Sequence, residues 1–295
     1  MKKRKAAGTK KTVPPAKPVT VSAIVRSVAA WLRRARLVFA HGTTDPVAEA
    51  AFIVGETIGL HPDDVESRAT APVTAVQQKK IARLVERRIR TRKPAAYLLK
   101  RIYMLGVPFD IDERAIVPRS FLGEIFTDET FAGEEFSLIP DEGSVRNVLD
   151  LCTGSGCLAI LAAMRFPAAK VDAVELSKGA FELAKQNVAR HRLAKRIRVL
   201  NGDLFVPVKG KRYDLIITNP PNINVDSANR ADHALGPWSA YTTRFADTIL
   251  DSGQRGYTVS NLVQVLQGRL LLMQGYRDLL EQAPQLMQSS GSPQT

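Results

Sequence analysis

Four histidines, two cysteines and an aromatic content of 6% leave this 295-residue chain with little material for several common chemistries. The histidines, at 41, 61, 191 and 233, are scattered and have no cysteine or carboxylate at ligand spacing, so no metal site is expected. Cys152 and Cys157 lie too close together to build a disulfide framework; they read as small apolar fillers behind a turn and fit a reducing cytosol. No nucleophile stands next to an evident base. No run of eighteen apolar residues occurs, so neither a transmembrane helix nor a membrane partner is expected. The N-terminus lacks the apolar segment of a secretory signal.

Positive charge is abundant. A formal net charge of +13 and a pI near 9.9 point to an acidic partner, with nucleic acid or a ribonucleoprotein foremost. Part of the excess sits in residues 1–20, which hold seven lysines and arginines, three prolines and no acid, the composition of a disordered tail. Residues 21–112 read as a helical module followed by a hairpin. Ile24, Val28, Trp31, Leu32 and Ala35 recur at helical spacing. Asp45-Pro46 is a cap followed by proline at the first helical position, with Val47, Ala51, Val54 and Ile58 as the apolar face. Thr74 and Gln77 form a capping-box pattern ahead of Ile81, Leu84, Val85 and Ile89. That third helix carries Lys79, Lys80, Arg83, Arg87, Arg88 and Arg90 on its other faces, which suits a solvated face or a docking surface equally. Tyr103, Leu105, Val107, Phe109 and Ile111 then alternate as a strand pair would. Residues 113–146 read as a linker.

From residue 147 to 222, short apolar strands (Asn147–Leu151, Lys170–Leu176, Ile197–Asn201 and Asp214–Thr218) alternate with helical patterns at Leu158–Arg165 and Lys178–His191, which argues a parallel sheet of Rossmann-like α/β type. Asp150-Leu151-Cys152-Thr153-Gly154-Ser155-Gly156 is a strand end and glycine turn that lets a ligand approach the backbone closely. Glu175 closes the second strand, where an acid can accept from ribose hydroxyls. Asp203 follows the third, and Asn219-Pro220-Pro221 the fourth. Gly154-Ser155-Gly156-Cys157-Leu158-Ala159 also fits a dinucleotide fingerprint, but the Asn-Pro-Pro loop does not belong to that reading.

Asp150-Leu151-Cys152-Thr153-Gly154-Ser155-Gly156-Cys157, Val171-Asp172-Ala173-Val174-Glu175-Leu176-Ser177 and Asp214-Leu215-Ile216-Ile217-Thr218-Asn219-Pro220-Pro221 together resemble the PrmB/HemK protein-glutamine methyltransferases. His41-Gly42-Thr43-Thr44-Asp45-Pro46 and Val117-Pro118-Arg119-Ser120 are similar to the PrmB branch, which acts on a large-subunit ribosomal protein. The likeness covers about residues 23–221. It implies a class I methyltransferase core that binds S-adenosyl-L-methionine through Asp150, Cys152, Thr153, Gly154, Gly156, Glu175, Asp203 and Asn219. It further implies that Asn219 and Pro220 are catalytic, holding the substrate amide together with Pro221 and the residue after it. The implied partner is a large-subunit ribosomal protein or the assembling ribosome, with ribosomal RNA contacted through basic residues, in the cytoplasm.

The family's Asn-Pro-Pro-Tyr ends here in Asn222, so the ring that would stack on the amide is replaced by a carboxamide. Residues 223–295 contain no lysine and are rich in glutamine. Their one long pattern, from Leu262 to Leu280, is helical, and they are expected to form a divergent, mainly helical or disordered tail. The sheet is therefore expected to stop at its fourth strand. Three functions remain open: glutamine methylation, a non-catalytic family member that binds cofactor or ribosome, and methylation of an adenine amino group on nucleic acid.

Overall fold

The computed structural model describes residues 18–39, 43, 45–118 and 142–219, together with the backbone of 257–260. The basic tail and the helical pattern after Leu262 lie outside these residues, as do Pro220, Pro221 and Asn222. The chain divides into two units, residues 1–99 and 100–295.

The first unit is helical: α1 (Val21–Arg34), α2 (Pro46–Ile58), α3 (Asp64–Ser67), α4 (Ala75–Thr91) and α5 (Ala95–Leu99). Local chemistry sets the helix starts. Asp45 caps α2 by accepting from the Val47 and Ala48 N–H groups at 2.6 and 3.0 Å, with Pro46 behind it at the first helical position. Thr74 and Gln77 exchange reciprocal bonds at the start of α4. Leu32, Val54, Ile53, Ile81 and Val85 fill the core. Two expected core residues face outward instead: Trp31 is 41% exposed and Val47 50%. Each stands one helical step away from the stripe that packs.

Arg88 departs further from expectation. It belongs to the interior, not to the basic face of α4. Its Nε donates to Glu49 Oε1 at 2.7 Å, its Nη2 reaches the Val38 carbonyl oxygen at 3.2 Å, and both charged side chains are 3% exposed. Thr43 donates to the second Glu49 oxygen at 3.1 Å. Nothing local in the sequence separates Arg88 from its neighbours, because its partner lies 39 residues away.

The second unit begins with the hairpin β1 (Arg101–Met104) and β2 (Val107–Asp110), which groups with the sheet rather than with the helical module. Leu105 and Gly106 form its two-residue turn, both at positive φ (50° and 72°). The turn resets the alternation, so Ile102 pairs with Phe109 and both are buried, while Leu105 lies outside the strands.

A five-stranded sheet follows: β3 (Asn147–Leu151), β4 (Lys170–Glu175), β5 (Ile197–Asn201), β6 (Leu215–Thr218) and β7 (Tyr257–Ser260), in spatial order β5-β4-β3-β6-β7 and parallel throughout. Helix α6 (Cys157–Arg165) links β3 to β4, and α7 (Lys178–Arg190) links β4 to β5. The strand β7 corrects the expected stop at the fourth strand. Leu215 to Thr218 pair in register with Tyr257 to Ser260, so β6 is an interior strand. The four residues of β7 stand apart from the helical pattern that dominates the rest of their region, too short a run for periodicity to reveal.

Removing one partner of the buried Arg88–Glu49 pair strands a charge away from water. Glu49→Ala is expected to lower the unfolding free energy by about 3–5 kcal/mol. Urea unfolding followed by circular dichroism would show this as an early loss of helix, and an unchanged midpoint would contradict the pairing.

Candidate functional site

Parallel strands place their carboxyl ends along one edge. The chain runs from β3 out to β5 and then returns to β6 on the other side of β3, so the crevice of a doubly wound sheet falls at the ends of β3 and β6. The segments after β3, β4, β5 and β6 meet this edge. Cys152 to Gly156 follow β3, Glu175 is the last residue of β4, and Asp203 and Asn219 follow β5 and β6.

The turn after β3 is braced from within the strand. Asp150 is fully buried, and its Oδ2 accepts from the Thr153 hydroxyl and, at 3.0 Å, from the Ala159 N–H in the first turn of α6. Gly156 caps that helix and has no side chain to offer, so the strand carboxyl satisfies a helix-end donor in its place. Burial raises the Asp150 pKa to about 7 against the opposing bonds from Thr153 and Ala159, with the nearby Glu175 charge adding to the rise. Its other oxygen, Oδ1, is buried with no hydrogen-bond partner among the described residues.

Backbone geometry explains the glycines. Cys152, Gly154 and Gly156 all have positive φ (57°, 58° and 82°). A Cβ on Gly156 would sit 3.3 Å from Ala184 of α7, so that position serves close packing. A Cβ on Gly154 would meet nothing within 4 Å among the described residues, so on their side this residue faces open space. The Gly154 N–H donates to Glu175 Oε2 at 2.8 Å, and Glu175 Oε1 accepts from the Ser177 N–H at 2.8 Å. Each carboxylate oxygen keeps a second lone pair for a ligand hydroxyl. Cys157 is buried, and burial pushes its thiol up to about 12, so it stays protonated at neutral pH. Asp203 and Asn219 are half-buried at the ends of β5 and β6.

Two residues at this edge escape a sequence reading. Asn187 of α7 is fully buried; its Nδ2 donates to the Ser155 carbonyl oxygen (2.8 Å) and the Asp110 carbonyl oxygen (2.9 Å), and its Oδ1 accepts from the Asp110 N–H (2.8 Å). One amide thus ties the glycine turn to the hairpin. Its signal was a polar residue within the buried stripe of Ala180, Leu183, Ala184 and Val188. Thr218, the last residue of β6, is fully buried and its hydroxyl finds no partner among the described residues.

Residues 136–234 match the family described as methyltransferase small domain, and residues 30–99 match the PrmC N-terminal domain. The first match runs beyond residue 222. A ribosomal protein uL3 glutamine methyltransferase from Bradyrhizobium diazoefficiens is 55% identical over 210 residues, covering 70% of this chain and 66% of the relative. The protein of the same description from Burkholderia pseudomallei is 41% identical over 215 residues, covering 70% and 68%. The chain belongs to the ribosomal protein uL3 glutamine methyltransferase family. It spans about two thirds of the length of these relatives. Among solved structures, the N-terminal domain of human METTL16 aligns with a TM-score of 0.40 at 17% identity, over 68% of this chain and 75% of that one. Within the uL3 methyltransferase family frame, the core is a class I methyltransferase sheet preceded by a helical domain. No helix among the described residues is long and apolar enough to cross a membrane.

The raised pKa of Asp150 has a definite sign. The folded chain holds a proton on this group up to about pH 7, whereas an unfolded aspartate releases it near about pH 4. The folded state therefore binds more protons in that window, and this group's contribution to stability falls as pH rises from about 4 to about 7. Asp150→Asn should remove that component, so the difference in urea midpoint between variant and parent should change across this window and level off above it. A constant difference would show that Asp150 is ionised throughout.

Proposed function

We propose that this chain methylates the side-chain amide nitrogen of a glutamine on a large-subunit ribosomal protein in the cytoplasm, with S-adenosyl-L-methionine as methyl donor. The observation that carries the reading is the placement of Asn219 at the end of β6, directly beside the end of β3 and its glycine turn, since Leu151 and Thr218 are register partners. The family relatives, named for glutamine methylation of uL3, support the same substrate.

The residues present fit the donor. Gly154 offers open space above a backbone with positive φ, Glu175 offers acceptors for a pair of ribose hydroxyls, and Asp203 stands at the neighbouring strand end for a base edge. Asp150 holds the turn, with Thr153 and Gly156 as parts of it. Cys152 takes the left-handed conformation at the mouth of the turn. The donor supplies an electrophilic methyl group on a sulfonium.

The chain's task is to make an amide nitrogen reactive. That nitrogen is a poor nucleophile because its lone pair is delocalised into the carbonyl. The Asn219 side-chain oxygen and the Pro220 carbonyl, as acceptors for the two N–H hydrogens, localise the lone pair and aim it. The family likeness assigns Pro221 and Asn222 to the same substrate contact. The bound donor would supply the methyl group with its thioether as leaving group, and Asn219 and Pro220 would hold the amide nitrogen in line until its surplus proton passes to solvent. Positioning of this kind can contribute up to about 7–11 kcal/mol in ideal systems.

Asn222, in place of an aromatic ring, favours one second reading: a chain that binds cofactor and target but transfers slowly. Asn219→Ala should abolish methyl transfer to uL3, read by mass spectrometry, while calorimetry shows S-adenosyl-L-methionine affinity within about threefold of the parent; unchanged turnover would remove Asn219 from the site. Asn222→Tyr should raise turnover if the missing ring limits the reaction, and an unchanged rate would leave the second reading without its basis.

A further inference from the structure

Charge in the helical unit is segregated. Between residues 21 and 99 there are thirteen lysines and arginines against seven acids, and six of those acids lie between Asp45 and Glu66. On α4 the distribution is one-sided. At 100° per residue, Lys79, Lys80, Arg83, Arg87 and Arg90 fall within about 100° of arc, along about 17 Å of helix axis. All five are exposed. The buried residues Ile81, Val85 and Arg88 occupy the opposite side. Glu86 is the one acid bordering the stripe, and none of the five cations forms an ion pair among the described residues.

A second observation concerns the helix ends. Arg92 Nη2 donates to the Arg36 carbonyl oxygen at 2.8 Å, so the end of α1, with exposed Arg33, Arg34 and Arg36, lies beside the C-terminal end of α4 and adds to the positive charge of the unit. Interior selection does not account for this stripe, since the one arginine of α4 that the core needs, Arg88, points the other way. A solvated helix face gains by mixing signs, through i,i+4 pairs. This face has a single acid within such reach, Glu86, for five cations.

We propose that the α4 stripe is a docking surface for the phosphate backbone of structured RNA. The charge complementarity is that of backbone contact: a row of cations on a rigid helix, matched to a row of phosphates and indifferent to base sequence. The choice of RNA over other polyanions rests on the proposed ribosomal target, while the stripe itself does not depend on the methyl-transfer reading.

The test uses the full chain and an in vitro transcript of large-subunit ribosomal RNA, with binding followed by fluorescence anisotropy at several salt concentrations. Replacing Lys79, Lys80, Arg83, Arg87 and Arg90 with glutamine keeps helix propensity and removes five charges. Affinity should fall by about tenfold or more, and the slope of log affinity against log salt should become shallower by about 3–4. A parallel variant with Lys2, Lys3, Arg4, Lys5, Lys10, Lys11 and Lys17 changed to glutamine should retain most of the affinity. Equal binding by the α4 variant, or a loss confined to the tail variant, would overturn the proposal. So would parent protein that binds phosphatidylserine vesicles but not the transcript. Calorimetry with S-adenosyl-L-methionine keeps the two readings apart: a chain that binds RNA through α4 but never binds the cofactor would sink the enzyme and leave the docking surface standing.

Discussion

A carboxyl group shut away from water holds the edge of this sheet at the carboxyl end of β3 together. Asp150 joins the end of β3 to the Thr153 hydroxyl and to the first turn of α6, a helix whose cap residue is a glycine without a side chain. The three residues of positive φ that shape the turn depend on that brace, and so does the position of Gly154 opposite Glu175. Burial opposes ionisation of Asp150, while the two donors on its Oδ2 favour it. The fold thus accepts a group that is costly to charge, and that group satisfies a helix-end donor which the Gly156 cap leaves open.

What could be read from the sequence is what local chemistry decides. Asp45 and Thr74 declare helix starts because a cap and its partner lie within three residues of each other. The strands β3 to β6 are legible because each is a short apolar run bounded by turn residues. The candidate residues Asp150, Gly154, Glu175, Asp203 and Asn219 come to one edge because parallel strands must align their ends. The features that escaped depend on distant partners. Arg88 looks like its basic neighbours until Glu49 is placed beside it. Asn187 looks like an ordinary polar helix residue until Ser155 and Asp110 converge on its amide. Leu105 fits an alternating pattern that only the register of β1 and β2 breaks.

The hairpin gains a different meaning from its partners. Asp110 exchanges hydrogen bonds with Asn187 and receives Arg190 at 2.8 Å, while the Pro108 carbonyl oxygen lies 2.8 Å from His191. These contacts make the hairpin an outer support of the glycine turn through α7. A disturbance at Asp110 reaches Ser155 through one buried amide, so the glycine turn is secured from both the strand and the helix side.

The register of β6 with β7 also dictates an order of events during synthesis. Thr218 and Tyr257 are separated by roughly forty residues of chain, which a ribosome making about 5–20 residues per second takes about 2–8 s to deliver. Throughout that interval β6 has β3 on one side and an unpaired row of amides and carbonyls on the other. The nascent chain therefore passes through a period in which its apolar strand edge depends on dilution, or on chaperones, to avoid pairing with another molecule.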